Sequence, residues 1–403
     1  MDGREAKVFK PTKLTLVSML LASMLMLMGG AAVAPALPLI HAAFPDQDFA
    51  VSLIITLPSL AVGCTGLIIG GLADKFGKVR TLVLSLGIFT VAGVASFFLA
   101  DLNVILAMRF VVGIGIAGIT ATVTALMAEY YTGMDRIKVL SYQSAAMGLG
   151  VLILEYTGGS LASISWHEPF LVYLIGIPIL LLCIASMREP SPTARPDEPE
   201  RPARPANRRL IMVCYVAVFV CQMMMFLVPT KIPTFLEDPT LPGHIDASMV
   251  GLFLGLNGVT NTVVSLFYRR LVVRVRPFLI MGLGFAFLGV GMVALMVSPT
   301  VGMALVTMIL VGIGMGMVSP AISNTLAGEA TSTTSGKIMG GYSTFLNFGQ
   351  FAISLISVPL LAMVGGSIPD MFAVMGCAAL FVALLFVLYC AKDRRFASVS
   401  TGA

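Results

Sequence analysis

The chain has 403 residues, 58% of them apolar and only 11% charged, with a formal net charge of +5. Soluble domains carry about a quarter charged residues, so a soluble fold is excluded. A transmembrane β-barrel is excluded as well, because it would show alternating segments of ~10 residues and the chain shows long continuous apolar runs instead.

Twelve such runs follow one another, over about 14–40, 50–72, 80–100, 102–128, 139–163, 169–187, 210–235, 247–268, 277–298, 300–326, 338–364 and 370–391. Each approaches the ~20 residues that carry a helix across a bilayer. The expectation is an all-α polytopic membrane protein. The first run is too long for a removable signal peptide and lacks a cleavage site, so it counts as a span.

Lys7, Lys10 and Lys13 precede the first run. Lys75, Lys78 and Arg80 follow the second, Arg136 and Lys138 the fourth, and Arg188 to Arg209 the sixth. Arg269, Arg270, Arg274 and Arg276 follow the eighth, Lys337 the tenth, and Lys392, Arg394 and Arg395 the twelfth. All these connections share one side. The opposite loops hold Asp46, Asp48, Asp101, Glu168, Glu237, Asp238, Asp246 and Asp370 but no Lys or Arg. The positive-inside rule then places both termini in the cytoplasm of a cell (inner) membrane. The net charge is a topology signal, and no nucleic-acid partner is expected.

The six cysteines lie within apolar runs without C-x-x-C spacing, which suits small buried hydrophobes. The three histidines sit at run ends or in loops, and no metal site is expected. Residues 188–209, REPSPTARPDEPERPARPANRR, are rich in proline and charge and read as an extended or disordered cytoplasmic linker. This divides the chain into 1–187, the linker, and 210–403. The two parts look duplicated. Gly113-Ile114-Gly115 recurs as Gly312-Ile313-Gly314, Tyr142-Gln143-Ser144 is echoed by Tyr342-Ser343-Thr344, and Glu129 by Glu329, each about 200 residues on. Parallel six-helix repeats with a site at their interface describe one large transporter architecture. The G-x-x-x-G pairs Gly66/Gly70 and Gly251/Gly255 are expected to let helix backbones approach.

The stretch GGLADKFGKVRTL, 70–82, resembles the loop signature of the major facilitator superfamily, through Gly70, Leu72, Ala73, Asp74, Lys75, Gly77 and Lys78. Its last basic position is Val79, with Arg80 one step later. The resemblance implies two six-helix bundles related by a pseudo-two-fold axis, alternating access, and no enzymatic activity. It also implies a cytoplasmic gate in which Asp74 and the basic residues engage an acid at the end of the fourth helix, here Glu129. RFVVGIGIAG, 109–118, is similar to the fourth-helix motif of the drug:proton antiporter branch through Arg109, Gly113 and Gly115. In GVLILEYTGG, 150–159, Gly150, Gly158 and Gly159 keep that branch's fifth-helix pattern, while Leu154 and Glu155 replace its central Gly-Pro.

An arginine within a span costs ~2.5–3.5 kcal/mol on insertion scales and ordinarily faces a cavity or a partner. At 1.5 Å per residue, Arg109 lies roughly 10 Å in from the outer end of its helix, and Glu155 roughly 24 Å along the next one. Their similar depth leads to the expectation that they pair and that Glu155 carries protons in competition with the guanidinium; a fixed ion pair or a lipid-facing acid are the other readings. Lys231, between Pro229 and Pro233, is a candidate for an anionic substrate or an outer gate, with snorkelling at the interface as its alternative. The two prolines are expected to interrupt their helix. Gln222, Asn257, Asn261, Asn324, Asn347 and Gln350 are candidates to line a cavity or to bind helices together.

The function implied is proton-coupled export of a small amphiphilic compound by a monomer embedded in the bilayer. No cofactor is expected; the proton gradient supplies the energy, as no phosphate-binding P-loop is present. A proton-coupled importer or facilitator is the alternative within transport, and a non-transporting membrane receptor or scaffold the alternative outside it.

Overall fold

The computed structural model describes residues 11–190, 207–330 and 334–392. Residues 191–206 of the expected linker, together with Lys7, Lys10, Arg394 and Arg395, lie outside the described residues. Among those described, twelve helices are long and apolar enough to cross a membrane. They are α1 (Lys13–Ala43), α2 (Asp48–Phe76), α3 (Lys78–Phe98), α4 (Leu102–Tyr130), α5 (Gly133–Ala162), α6 (Glu168–Ser186), α7 (Arg208–Leu236), α8 (Ala247–Val272), α9 (Pro277–Val297), α10 (Val301–Glu329), α11 (Ser335–Met363) and α12 (Ile368–Lys392). The fold is all-α and polytopic, with the twelve spans in the expected places.

Side chains at the helix starts supply partners for the first free N–H groups. Thr12 and Thr15 form a reciprocal capping box on α1. Asp101 accepts from Asn103 and Val104 at α4, Asn207 from Leu210 at α7, and Thr300 from Met303 at α10. Large apolar side chains such as Leu67, Leu84, Val91, Leu181 and Phe381 are exposed, as a lipid-facing surface requires. Helix association in lipid then rests on close packing and interhelical hydrogen bonds rather than on the hydrophobic effect.

The chain forms two compact units. Of the described residues, the first comprises 11–190 with Asp246–Gly255, and the second comprises 207–245, Leu256–Ala330 and 334–392. The start of α8, together with Asp246 before it, thus clusters with α1–α6. Within the first unit α4 packs on α2 and α3, α1 on α5, and α3 on α6. Within the second, α10 packs on α9, α7 on α11, and α9 on α12. The repeated glycines play the same part in each. A Cβ on Gly113 would strike the Pro58 backbone of α2, and one on Gly115 the Phe89 backbone of α3. A Cβ on Gly312 would meet the Asn257 carbonyl of α8, and one on Gly314 the Gly284 carbonyl of α9. The sequence echo therefore corresponds to a repeated three-helix contact.

Two expectations need correction, and one feature of α1 was not anticipated. Gly66 and Gly70 meet nothing within 4 Å, so this G-x-x-x-G pair packs no helix, whereas Gly251 and Gly255 lie against the α5 backbone at Glu155 and Leu152. Pro229 and Pro233 do not interrupt α7, which runs from Arg208 to Leu236 through both. Thr230 Oγ1, between the two prolines, donates to Phe226 O at 2.8 Å and to Leu227 O at 3.0 Å within the same turn. Finally, α1 is not one continuous helix. It unwinds into 3-10 turns at Leu25–Leu27 and Ala34–Ala36, around Gly29, Gly30 and Pro35.

Candidate functional site

At the break in α1, the backbone carbonyls of Met28 and Gly29 accept from side chains of other helices, and a carbonyl left unsatisfied costs several kcal/mol in hydrocarbon. Arg109, fully buried on α4, supplies the donors. Its Nη2 donates to Gly29 O at the break, its Nε to Ile54 O of α2 at 2.9 Å, and its Nη1 to the Tyr173 hydroxyl of α6 at 2.6 Å. The guanidinium also lies 5.3 Å from the Tyr173 ring centroid, close enough for a cation–π attraction. Tyr173 Oη donates in turn to Met28 O at 3.3 Å. One fork of donors thus binds four helices together. The charge is met by carbonyl and hydroxyl dipoles, and no acid pairs with it among the described residues.

The expected Arg109–Glu155 pair is therefore not formed. Depth along a helix says nothing about rotation around it, and Arg109 turns toward α1, α2 and α6. Glu155 lies elsewhere. It shares a face of α5 with Gly158 and Gly159, three and four residues on. Gly158 packs against the Ala32 carbonyl in the broken stretch of α1, Gly159 against Ala247, and the Glu155 carbonyl against Gly251. Wedged among these close approaches, Glu155 is buried, and its Oε2 has no hydrogen-bond partner. A polar group left in that state costs about 1–3 kcal/mol, more when charged.

Lys231 is buried on α7. Gln350 Nε2 donates to Gln222 Oε1 at 3.2 Å, joining α11 to α7 in the second unit. The other amides mostly serve their own helices or bind neighbours. Asn257 Nδ2 donates to Met308 O on α10 at 2.7 Å, and Asn347 Nδ2 to Ser343 O at 2.8 Å. Asn261 Oδ1 accepts from Ser265 at 3.4 Å. Asn324 is on α10, facing Tyr268 of α8. No group of three metal-ligating side chains occurs among the described residues.

At the basic end of the first unit, Lys78 Nζ reaches Glu129 Oε1 at 2.5 Å and Asp74 Oδ1 at 3.3 Å. The loop signature and the end of α4 are thus joined as the family pattern implies. Lys75 lies 5.7 Å from the Phe76 ring centroid, and Gly70 faces open space. The principal residue missed by sequence reasoning is Glu189, just beyond α6. Its Oε2 accepts from Lys78 N at 3.0 Å and its Oε1 from Arg80 N at 2.9 Å, capping α3 from a distant part of the chain. Gly77, with φ +106°, makes this possible twice over: it adopts a conformation that side chains rarely allow, and a Cβ there would collide with the Glu189 carboxylate. Arg188, beside it, is bonded through its backbone to the Tyr130 hydroxyl. The first residues of the expected linker are therefore docked. An acid immediately after the sixth run was the available signal, but it was hidden in a charge-rich stretch. Glu189→Ala is expected to lower stability by about 1 kcal/mol, the usual worth of a side-chain cap, with Glu189→Gln losing less. Thermal unfolding of the purified protein in detergent measures both.

Twelve spans in two units with repeated internal packing, a buried arginine and a buried lone acid define a polytopic membrane transporter. The chain belongs to the Major Facilitator Superfamily, whose family model matches residues 19–354 and, in a second match, 215–403. It is 26% identical over 329 residues to the class C tetracycline resistance protein of Escherichia coli, covering 79% of this chain and 81% of that one. It is 31% identical over 179 residues to the multidrug efflux protein YfmO of Bacillus subtilis, an alignment spanning 43% of this chain and 44% of that one. It is 27% identical over 138 residues to the niacin transporter NiaP of Acinetobacter baylyi, spanning 34% and 31%. Among solved structures, the nucleoside transporter NupG superposes with a TM-score of 0.77 at 11% identity, over 93% of this chain and 99% of that one. A bacterial homologue of the human lysosomal transporter Spinster, in an inward-facing conformation, gives 0.69 at 15% identity over 93% and 94%. These structural likenesses establish the fold. The chain is an integral multi-pass membrane transporter of small molecules and not an enzyme.

Proposed function

We propose that this transporter exports a small amphiphilic compound in exchange for protons by alternating access, with Glu155 as the proton-carrying group and the termini on the cytoplasmic side. The observation that carries the reading is the Glu155 carboxyl, buried inside the first unit with an oxygen that has no hydrogen-bond partner. Among the described residues no cation pairs with a charge at that position, and a proton removes the charge. Any rearrangement that opens the seam around Gly158 and Gly251 changes the balance between the two forms, which is how a carboxyl can link proton binding to conformation. Export is favoured by the tetracycline-resistance and multidrug-efflux relatives, and the orientation by the Lys and Arg distribution over the loops. The match to a niacin transporter supports a second reading, proton-coupled uptake of a small organic solute.

The test uses vesicles carrying the protein with an imposed proton gradient, challenged with lipophilic cations, tetracyclines, other neutral antibiotics and organic acids. A compound that dissipates the gradient in the wild type but not in Glu155→Gln supports the assignment. Equal dissipation by both proteins places the proton site elsewhere. Gradient dissipation only by compounds moving in the same direction as protons replaces export by uptake.

A further inference from the structure

We propose that the groove between α8 and α10, at the end where α8 leads into α9, holds an anionic phospholipid drawn from the adjoining leaflet. The groove encloses about 320 Å³, the low end of the roughly 300–1,000 Å³ of small-molecule sites. That volume suits one segment of a lipid rather than a whole molecule. Its wall is apolar, formed chiefly by Val264 and Phe267 on α8 and Met317 on α10, while Leu271 lies further along, beside the cations. They stand side by side because Gly316 lets the helices touch: a Cβ there would press on Asn261 and Val264.

The polar groups are arranged along the same groove. The apolar span of α8 ends at Tyr268. Arg270, two residues later and roughly 3 Å beyond it at 1.5 Å per residue, and Arg274, in the turn just past the end of α8 at Val272, also line the groove. The wall thus lies at hydrocarbon depth and the two cations at headgroup depth. Arg270 is held 5.3 Å from the Phe267 ring centroid, which fixes its guanidinium beside the groove. No carboxylate pairs with Arg270 or Arg274 among the described residues. Between wall and cations sits Tyr268, whose buried hydroxyl faces Asn324 without forming a hydrogen bond of normal geometry. It is a donor waiting for an acceptor.

An apolar wall, a free hydroxyl and two uncompensated guanidiniums in that order match an acyl chain, an ester or glycerol oxygen, and a phosphate. Basic pockets between helices at a membrane surface recognise anionic headgroups in this way. A free phosphate would use the cations and leave the wall bare. A neutral amphiphile would use the wall and leave the cations unpaired.

The experiment is native mass spectrometry of the purified full-length protein titrated with phosphatidylglycerol or phosphatidylcholine, with melting temperature in detergent recorded for each variant. The wild type is expected to retain one phosphatidylglycerol in about tenfold preference. The double variant R270Q/R274Q is expected to lose the preference, and Val264→Trp to lose binding with both charges intact. Should either larger change unfold the protein, Tyr268→Phe removes only the hydroxyl and is expected to weaken binding about threefold. Absence of a preference in the wild type, or its survival in the variants, overturns the proposal. So does displacement of the lipid by inorganic phosphate while Val264→Trp still binds, which would assign the cations to a free phosphate.

Discussion

Arg109→Ala is expected to be among the most damaging single changes in the molecule, lowering stability by about 3 kcal/mol or more and abolishing transport. The substitution leaves Gly29 O, Ile54 O and the Tyr173 hydroxyl without their donors. A buried acceptor stripped of its partner costs about 1–3 kcal/mol, and inside a membrane no water replaces it. The substitution also empties a fully buried position between helices. Arg109→Lys keeps the charge but cannot reproduce a planar fork directed at three acceptors, so an intermediate loss is expected. Tyr173→Phe removes the hydroxyl's two bonds, to Arg109 Nη1 and to Met28 O, while the guanidinium keeps its other acceptors, and should cost least, about 1–2 kcal/mol. The order is read from thermal unfolding in detergent. Equal stability of Arg109→Lys and the wild type would show that charge, not geometry, is what the site uses.

At Glu155 the expected signs are opposite. Glu155→Leu should raise the melting temperature, because it replaces a buried carboxyl with an unpartnered oxygen, worth about 1–3 kcal/mol, by an apolar side chain. The same variant should lose compound-driven proton movement completely. Glu155→Gln, near in shape, should stay close to the wild type in stability and share the transport defect. A stability gain joined to a loss of function is the mark of a residue retained at the expense of the fold. A less stable Glu155→Leu with an active Glu155→Gln would mean that the carboxyl serves structure instead.

The two residues also show what the sequence makes legible. Twelve spans were readable because each apolar run must cover the bilayer by itself, and the loop signature was readable because Asp74, Lys78 and Glu129 belong to short segments at helix ends. The Arg109–Glu155 pairing was not, since rise per residue yields height while rotation is decided by packing. Gly66/Gly70 and Gly251/Gly255 carry the same spacing, yet only the second pair lies against another helix. The spacing permits an approach and does not say whether a partner comes. Glu189 acts across a gap of more than a hundred residues, so no local pattern announces it. The break in α1 was concealed because Gly29-Gly30 and Pro35 are ordinary in membrane helices.

That break has a consequence for how the protein is made. α1 emerges from synthesis before α4 and α6 exist, so at membrane entry neither Arg109 nor Tyr173 is present to receive the carbonyls of Met28 and Gly29. In lipid a helix with open carbonyls is penalised, and a straight one closes its own bonds. The 3-10 turns of α1 are therefore expected to form late, when the fourth and sixth spans bring their donors to its carbonyls. Assembly of the first unit has a direction in time: an early helix waits in one shape and is recast by residues translated after it.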